Sequence, residues 1–177
     1  QDSSGKTALF KAIRAQKYEI AEILFKEGAN PNIPNNSGEV VLHLINDKKR
    51  TNLVKLFLKG VQPADASIAD KHGNTPLHEA ARSNQIGIAK ILVEALDNKI
   101  DAKNKKGETP FDIACIYRRV EMATFLLKRG DTTFLLEADA TNQNSDKTPS
   151  LHHACSRGSL ELVKMLIKRG VAIDATD

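Results

Sequence analysis

The segment Gly73-Asn74-Thr75-Pro76-Leu77-His78-Glu79-Ala80-Ala81 recurs in altered form four more times along the chain. The other copies are Gly5-Lys6-Thr7-Ala8-Leu9-Phe10-Lys11-Ala12, Gly38-Glu39-Val40-Val41-Leu42-His43, Gly107-Glu108-Thr109-Pro110-Phe111-Asp112-Ile113-Ala114 and Lys147-Thr148-Pro149-Ser150-Leu151-His152-His153-Ala154. The glycines step by 33, 35 and 34 residues, from 5 to 38 to 73 to 107. A unit this short cannot enclose a core by itself, so the copies must stack, and the core runs from copy to copy.

Each copy carries the chemistry of a turn followed by two helices. Thr75 is a good N-cap for a helix whose first residue, Pro76, already has a helical φ and needs no donor. The same reading applies to Thr109-Pro110 and to Thr148-Pro149. Gly5, Gly38, Gly73 and Gly107 precede the cap by two residues, where a tight turn demands a positive φ. Asp146 replaces that glycine in the fifth copy. Small pairs such as Ala80-Ala81, Ala114-Cys115 and Ala154-Cys155 let neighbouring first helices approach closely. Apolar stretches starting at Ile20, Leu53, Ile88, Met122 and Leu162 supply the second helices. In the second copy, Val40-Val41 replaces the capping pair and Asn46 takes a small apolar slot, so this copy is expected to be the soft point of the array.

These motifs resemble the T-P-L-H-x-A signature of the ankyrin repeat, and the resemblance covers essentially the whole chain. It implies an all-α solenoid of stacked helix-turn-helix units with projecting β-turn loops. The expected organisation is a single domain over 1–177, with units near 2–34, 35–69, 70–103, 104–142 and 143–177. The resemblance implies a protein-protein interaction module. In this family, residues just after the small pair line the concave side, with the turn tips beside them. Those slots hold Arg14, Lys48, Arg82, Ile116, Tyr117, Arg118, Arg119 and Arg157, and the tips add Lys71, His72, Lys105 and Lys106. The stripe is mostly basic although the net charge is only +4, and segregation matters more than the total. The expected partner is a protein with an acidic segment, held by arginines with Ile116 and Tyr117 as apolar anchors. The alternative is a structural spacer within a larger enzyme, channel or effector. The resemblance also implies that His43, His78 and His152 tie turn to helix. It marks Asn32 as similar to the turn asparagine that an oxygen-dependent asparaginyl hydroxylase modifies.

Other functions lack parts. The chain has no Gly-rich phosphate loop, nucleophile elbow or paired carboxylates in a foreseeable cleft, so neither an enzyme nor a cofactor is expected. Zinc would need four converging ligands, and His152-His153-Ala154-Cys155 has no second Cys or His pair at the right spacing. Cys115 and Cys155 fall in matching small buried slots. Adjacent helices sit about 8–10 Å apart, beyond disulfide reach, so both thiols are expected to stay reduced. Nucleic acid is disfavoured as a partner because the surface offers charge with few aromatics for base stacking. No apolar run approaches the roughly 18 residues of a membrane span. A monomer in the cytoplasm, or in the nucleus, is the expectation. The first copy keeps Phe10, Ile13, Ile20, Ile23 and Leu24 and the last keeps Leu160, Leu162, Val163, Leu166 and Ile167. Neither reads as a polar cap, so the chain is expected to be a piece of a longer protein. Phe134-Leu135-Leu136, in the longest connection, is expected to fold back over a neighbouring repeat or to contact a partner.

Overall fold

The computed structural model describes residues 1–129 except 46, 48, 49 and 98, and residues 150–173 except 157, 169, 171 and 172. The described helices come in successive pairs. They are α1 (Ala8–Arg14) with α2 (Tyr18–Lys26), α3 (Val41–Leu44) with α4 (Thr51–Lys59), and α5 (Pro76–Arg82) with α6 (Ile86–Ala95). Next come α7 (Pro110–Ile116) with α8 (Val120–Arg129), then α9 (Ser150–Ser156) with α10 (Leu160–Lys168). First members of the pairs pack in one row, α1 to α3 to α5 to α7 to α9, and second members pack in a parallel row behind them. Among the described residues no strand occurs.

The core lies between the rows and between successive pairs, as the repeat requires. Leu9, Leu42, Leu77, Phe111 and Leu151 fill one slot in the inner row, and Ala21, Val54, Ala89 and Ala123 let outer helices approach; all are buried. In the outer row the Phe25 and Phe57 rings meet with centroids 4.7 Å apart at 59°, a tilted geometry that suits their quadrupoles.

The turn glycines fulfil both demands made of them. Gly38 and Gly73 sit at φ +79° and +80°. A Cβ on Gly38 would lie 2.8 Å from the Lys71 amide nitrogen, and one on Gly73 would lie 2.8 Å from that of Lys105. The glycine therefore permits the turn and leaves room for the turn of the next pair.

The second pair is irregular. Its inner helix spans four residues where α1, α5 and α7 span seven. Val40 has no side-chain acceptor to cap it, and the chain turns extended at Ile45 (φ −83°, ψ 90°). In the first, third and fourth pairs Gln16, Asn84 and Arg118 turn the corner between inner and outer helix in left-handed geometry at φ 56–57°. In the second pair Arg50 is the N-cap of α4, at φ −109° with no side-chain cap of its own. Arg50 instead lies 4.2 Å over the Tyr18 ring and pairs with Asp47 at 3.5 Å. Amide exchange is expected to be faster across 38–52 than across 73–87. Hydrogen-exchange mass spectrometry would show equal or slower exchange there if the short helix were as firmly held as α5.

The fifth pair corrects two sequence expectations. Leu151-His152 aligns with Leu77-His78, so Ser150, the first residue of α9, takes the place of Pro76, while Thr148-Pro149, to which the cap is assigned in the sequence, lies outside the described residues. His152 does not repeat the bonding of its counterparts, for its Nδ1 is buried with no hydrogen-bond partner. The residue three before it is Pro149, which has no N–H to offer. Cys155 is exposed, not buried, because no further inner helix lies over α9 among the described residues. Asn46, Lys147, the His153 side chain and the 134–136 cluster lie outside the described residues.

Candidate interaction surface

Four residues that sequence reasoning passed over shape the turn tips. Asp2, Asn35, Asp70 and Asn104 each stand three residues before the turn glycine. Each side-chain oxygen accepts two backbone N–H bonds at 2.8–3.0 Å: from Ser4 and Lys6, Ser37 and Glu39, His72 and Asn74, and Lys106 and Glu108. These are Asx turns, which a short carboxylate or amide makes with the backbone two residues on. The signal was legible, since these residues step by the same 33, 35 and 34 as the glycines. At Asp2 the Lys6 amide, and after it the Lys11 ammonium, hold the carboxyl down to about 2.

Successive tips are bonded to one another. The amides of Asn36, Lys71 and Lys105 donate to the carbonyls of Ser4, Ser37 and His72 at 3.0, 2.9 and 2.8 Å. Behind the tips runs a second relay. His43 Nδ1 accepts from the Val40 amide at 3.2 Å, and its Nε2–H donates to the Asn74 carbonyl at 2.9 Å. His78 Nδ1 accepts from the Thr75 amide at 3.0 Å and faces its hydroxyl at 2.9 Å, and Nε2–H donates to the Glu108 carbonyl at 3.0 Å. Burial holds the His78 pKa below its ordinary value, consistent with a neutral ring that accepts on one side and donates on the other. Asp112 fills this slot in the fourth pair, where it caps the helix by accepting from the Thr109 amide and hydroxyl at 2.8 and 2.7 Å. Its side chain has no N–H with which to extend the relay.

On this frame most of the expected site residues fall into two groups. Lys71, His72, Lys105 and Lys106 are exposed on adjacent tips. Arg82, Ile116, Tyr117, Arg118 and Arg119 come together at the C-terminal ends of α5 and α7. There the Arg119 Nε donates to the Arg82 carbonyl at 3.0 Å, and the Arg82 guanidinium donates to the Glu79 carboxylate. Partial burial works against the Arg82 charge, but Glu79 and the Tyr117 hydroxyl more than offset it. Tyr117 is 45% exposed, while Ile116 is half-buried, so of the two expected apolar anchors the tyrosine presents more surface. Arg14 stands apart from these groups. It helps line a groove of about 590 Å³ with Ser3, Ser4, Lys6, Asn35 and Asn36, between the tips of the first two pairs and α1. Lys48 and Arg157 lie outside the described residues.

Asn32 sits away from this face. Its Nδ2 donates to the Pro63 carbonyl at 2.9 Å and its Oδ1 accepts from the Asp65 amide at 2.8 Å, so the amide clips one inter-pair loop to the next. Burial pushes the Cys115 thiol well above its usual range, leaving little thiolate for chemistry.

Residues 41–134 match the family model for ankyrin repeats in three copies, and residues 4–36 and 149–175 match ankyrin-repeat models singly. The chain belongs to the ankyrin-repeat family. Ankyrin repeats mediate protein-protein interaction, and the family is a non-catalytic interaction module. Similar proteins include the nuclear factor NF-kappa-B p105 subunit of Gallus gallus (28% identical over 93% of this chain) and human transient receptor potential cation channel subfamily A member 1 (27% over 99%). Human neurogenic locus notch homolog protein 1 is 28% identical over 88% of the chain. The ankyrin repeats here span 16%, 16% and 6% of the lengths of those three proteins. No described helix is long and apolar enough to cross a membrane.

Proposed function

We propose that the face made by the tips at 71–72 and 105–106 with the α5 and α7 ends binds an acidic segment of a partner protein. The observation that carries this reading is the grouping of Arg82, Tyr117 and Arg119 at the C-terminal ends of α5 and α7, with Lys71, Lys105 and Lys106 exposed on the tips that lead into those helices. Glu79 and Glu108 are already engaged, the first by Arg82 and the second by the Asn104 amide at 2.9 Å. Aromatic and arginine side chains on a firm support are the usual carriers of interface energy, and clustered cations steer an acidic chain toward them. Residence in the cytoplasm or nucleus accompanies this reading, and the two free cysteines fit a reducing compartment. Hydroxylation of Asn32 belongs to the same proposal.

A fluorescein-labelled peptide rich in Asp and Glu with one leucine serves as the probe in an anisotropy titration. Arg118→Glu with Arg119→Glu is expected to weaken binding at least tenfold, about 1.4 kcal/mol or more, and to flatten its salt dependence. Unchanged binding in that variant, or stronger competition from duplex DNA than from unlabelled peptide, would contradict the reading. The spacer reading draws on one observation, the small share of its much longer relatives that this chain spans. It predicts no peptide binding at all.

A further inference from the structure

The loops that follow the outer helices are joined differently at successive junctions. At the first, the Asn32 amide reaches across to the Pro63 carbonyl and the Asp65 amide. Asn32 stands six residues before its turn glycine, and at the same place in the next unit the chain has Ser67. Its shorter side chain turns back within its own loop, where the hydroxyl donates to Asp65 Oδ1 at 2.6 Å and the Ser67 amide donates to the same oxygen at 2.8 Å. No bond of Ser67 crosses to the loop at 96–102. One residue earlier the successive loops carry Pro31, Ala66 and Ile100, and the alanine fills the least space. Between these two loops lies a groove of about 880 Å³, within the size range of sites that take a ligand. Its walls come from the second and third pairs, each flanked by another pair on both sides, so neither end of the chain shapes it.

The lining has two zones. Leu77 and Ile100 are buried and Leu58 and Leu96 half-buried, which gives an apolar floor. Asp65, Asp97 and Lys99 are exposed at the mouth, and Asp101 is half-buried. Among the described lining residues three aspartates thus stand against one lysine, in a chain whose net charge is +4. Neither Asp65 nor Asp97 has an ion pair among the described residues.

We infer that this groove binds a segment of a partner protein in which one large apolar side chain is flanked by lysine or arginine. The apolar side chain leaves water on the floor, and the flanking cations meet the aspartates at the mouth, which repels an acidic segment. The charge requirement is opposite to that of the basic face, and the inference does not depend on that reading.

Anisotropy titration of the 177-residue chain with a fluorescein-labelled peptide holding one phenylalanine between lysines tests it. Saturable binding is expected, and a peptide with alanine in place of the phenylalanine should bind about tenfold more weakly. Asp65→Asn with Asp97→Asn keeps an acceptor for the Ser67 amide and a residue type that tolerates φ +50° at position 97. That variant should weaken binding about tenfold and flatten its salt dependence. Ala102→Phe, at an exposed lining position, should block the groove without lowering the melting temperature. Arg118→Glu with Arg119→Glu should leave binding of this peptide intact, which separates a failure here from a failure at the basic face. The absence of saturable binding below about 1 mM would overturn the proposal. So would full binding by either groove variant, loss of binding in the arginine variant, or equal competition from the acidic peptide. Competition by phenethylamine as strong as by unlabelled peptide would overturn it in favour of a pocket for small amines.

Discussion

His78→Leu is expected to destabilise the protein by about 2–4 kcal/mol, read as a shift of the urea midpoint with little change in slope. His78 is 1% exposed, and it satisfies the Thr75 amide on one side and reaches the Glu108 carbonyl on the other. Leucine fills the space but leaves a buried N–H without an acceptor, a loss of about 1–3 kcal/mol, and removes the bond to the next pair, a further loss of about 0.5–1.5 kcal/mol. The pH dependence has a definite sign. Burial depresses the folded pKa, although Asp112, Asp70 and Glu108 pull the other way. The unfolded chain therefore takes up the proton first as pH falls. The stability from neutral His78 is full above the unfolded value near 6.5 and is lost progressively below it. Melting temperature should drop between about pH 7.5 and about pH 5.5, on either side of the ordinary histidine value, and the drop should be smaller in His78→Leu. A variant as stable as the parent at the upper pH would show that the relay contributes nothing.

Gly73→Ala is expected to cost about 2–3 kcal/mol. Alanine at φ +80° loses about 1–2 kcal/mol to left-handed strain. Its Cβ would also stand 2.8 Å from the Lys105 nitrogen, forcing apart the tips joined by the Lys105 to His72 bond, a bond of about 1 kcal/mol. Gly28→Ala separates the two causes. Gly28 has φ +90°, and a Cβ added there would meet nothing within 4 Å, so only the strain remains and the cost should be about 1 kcal/mol less. Equal losses at the two sites would mean that turn-to-turn contact adds no stability.

The architecture is legible in the sequence because a stacking repeat writes its geometry several times over. Glycine spacing, the Thr-Pro starts and the apolar stretches each point to the same helix pairs, and the weak cap at Val40-Val41 marks the pair whose inner helix is shortest. The fifth pair departs from expectation where one residue shifts the frame, since Thr148-Pro149-Ser150-Leu151-His152 is longer by one than Thr75-Pro76-Leu77-His78. A motif match overlooks that Pro149 withdraws the N–H which His152 would accept. The expectation for Cys155 fails for a different reason, as its slot is buried only when a further inner helix follows. At the proposed interaction surface, composition locates the cations but cannot show their internal ties. Arg50 stacks on Tyr18, Arg82 is engaged by Glu79, and Arg119 reaches back to the Arg82 carbonyl. Such links depend on side-chain reach between pairs, which no single copy of the repeat encodes.

The most direct test of the interaction face is an amide chemical-shift map during titration with the acidic peptide. The account predicts that shifts concentrate at 71–72, 82, 105–106 and 117–119, with outer-helix amides at 88–93 and 122–127 unmoved. Shifts spread evenly over both rows, or centred on the outer helices, would contradict it.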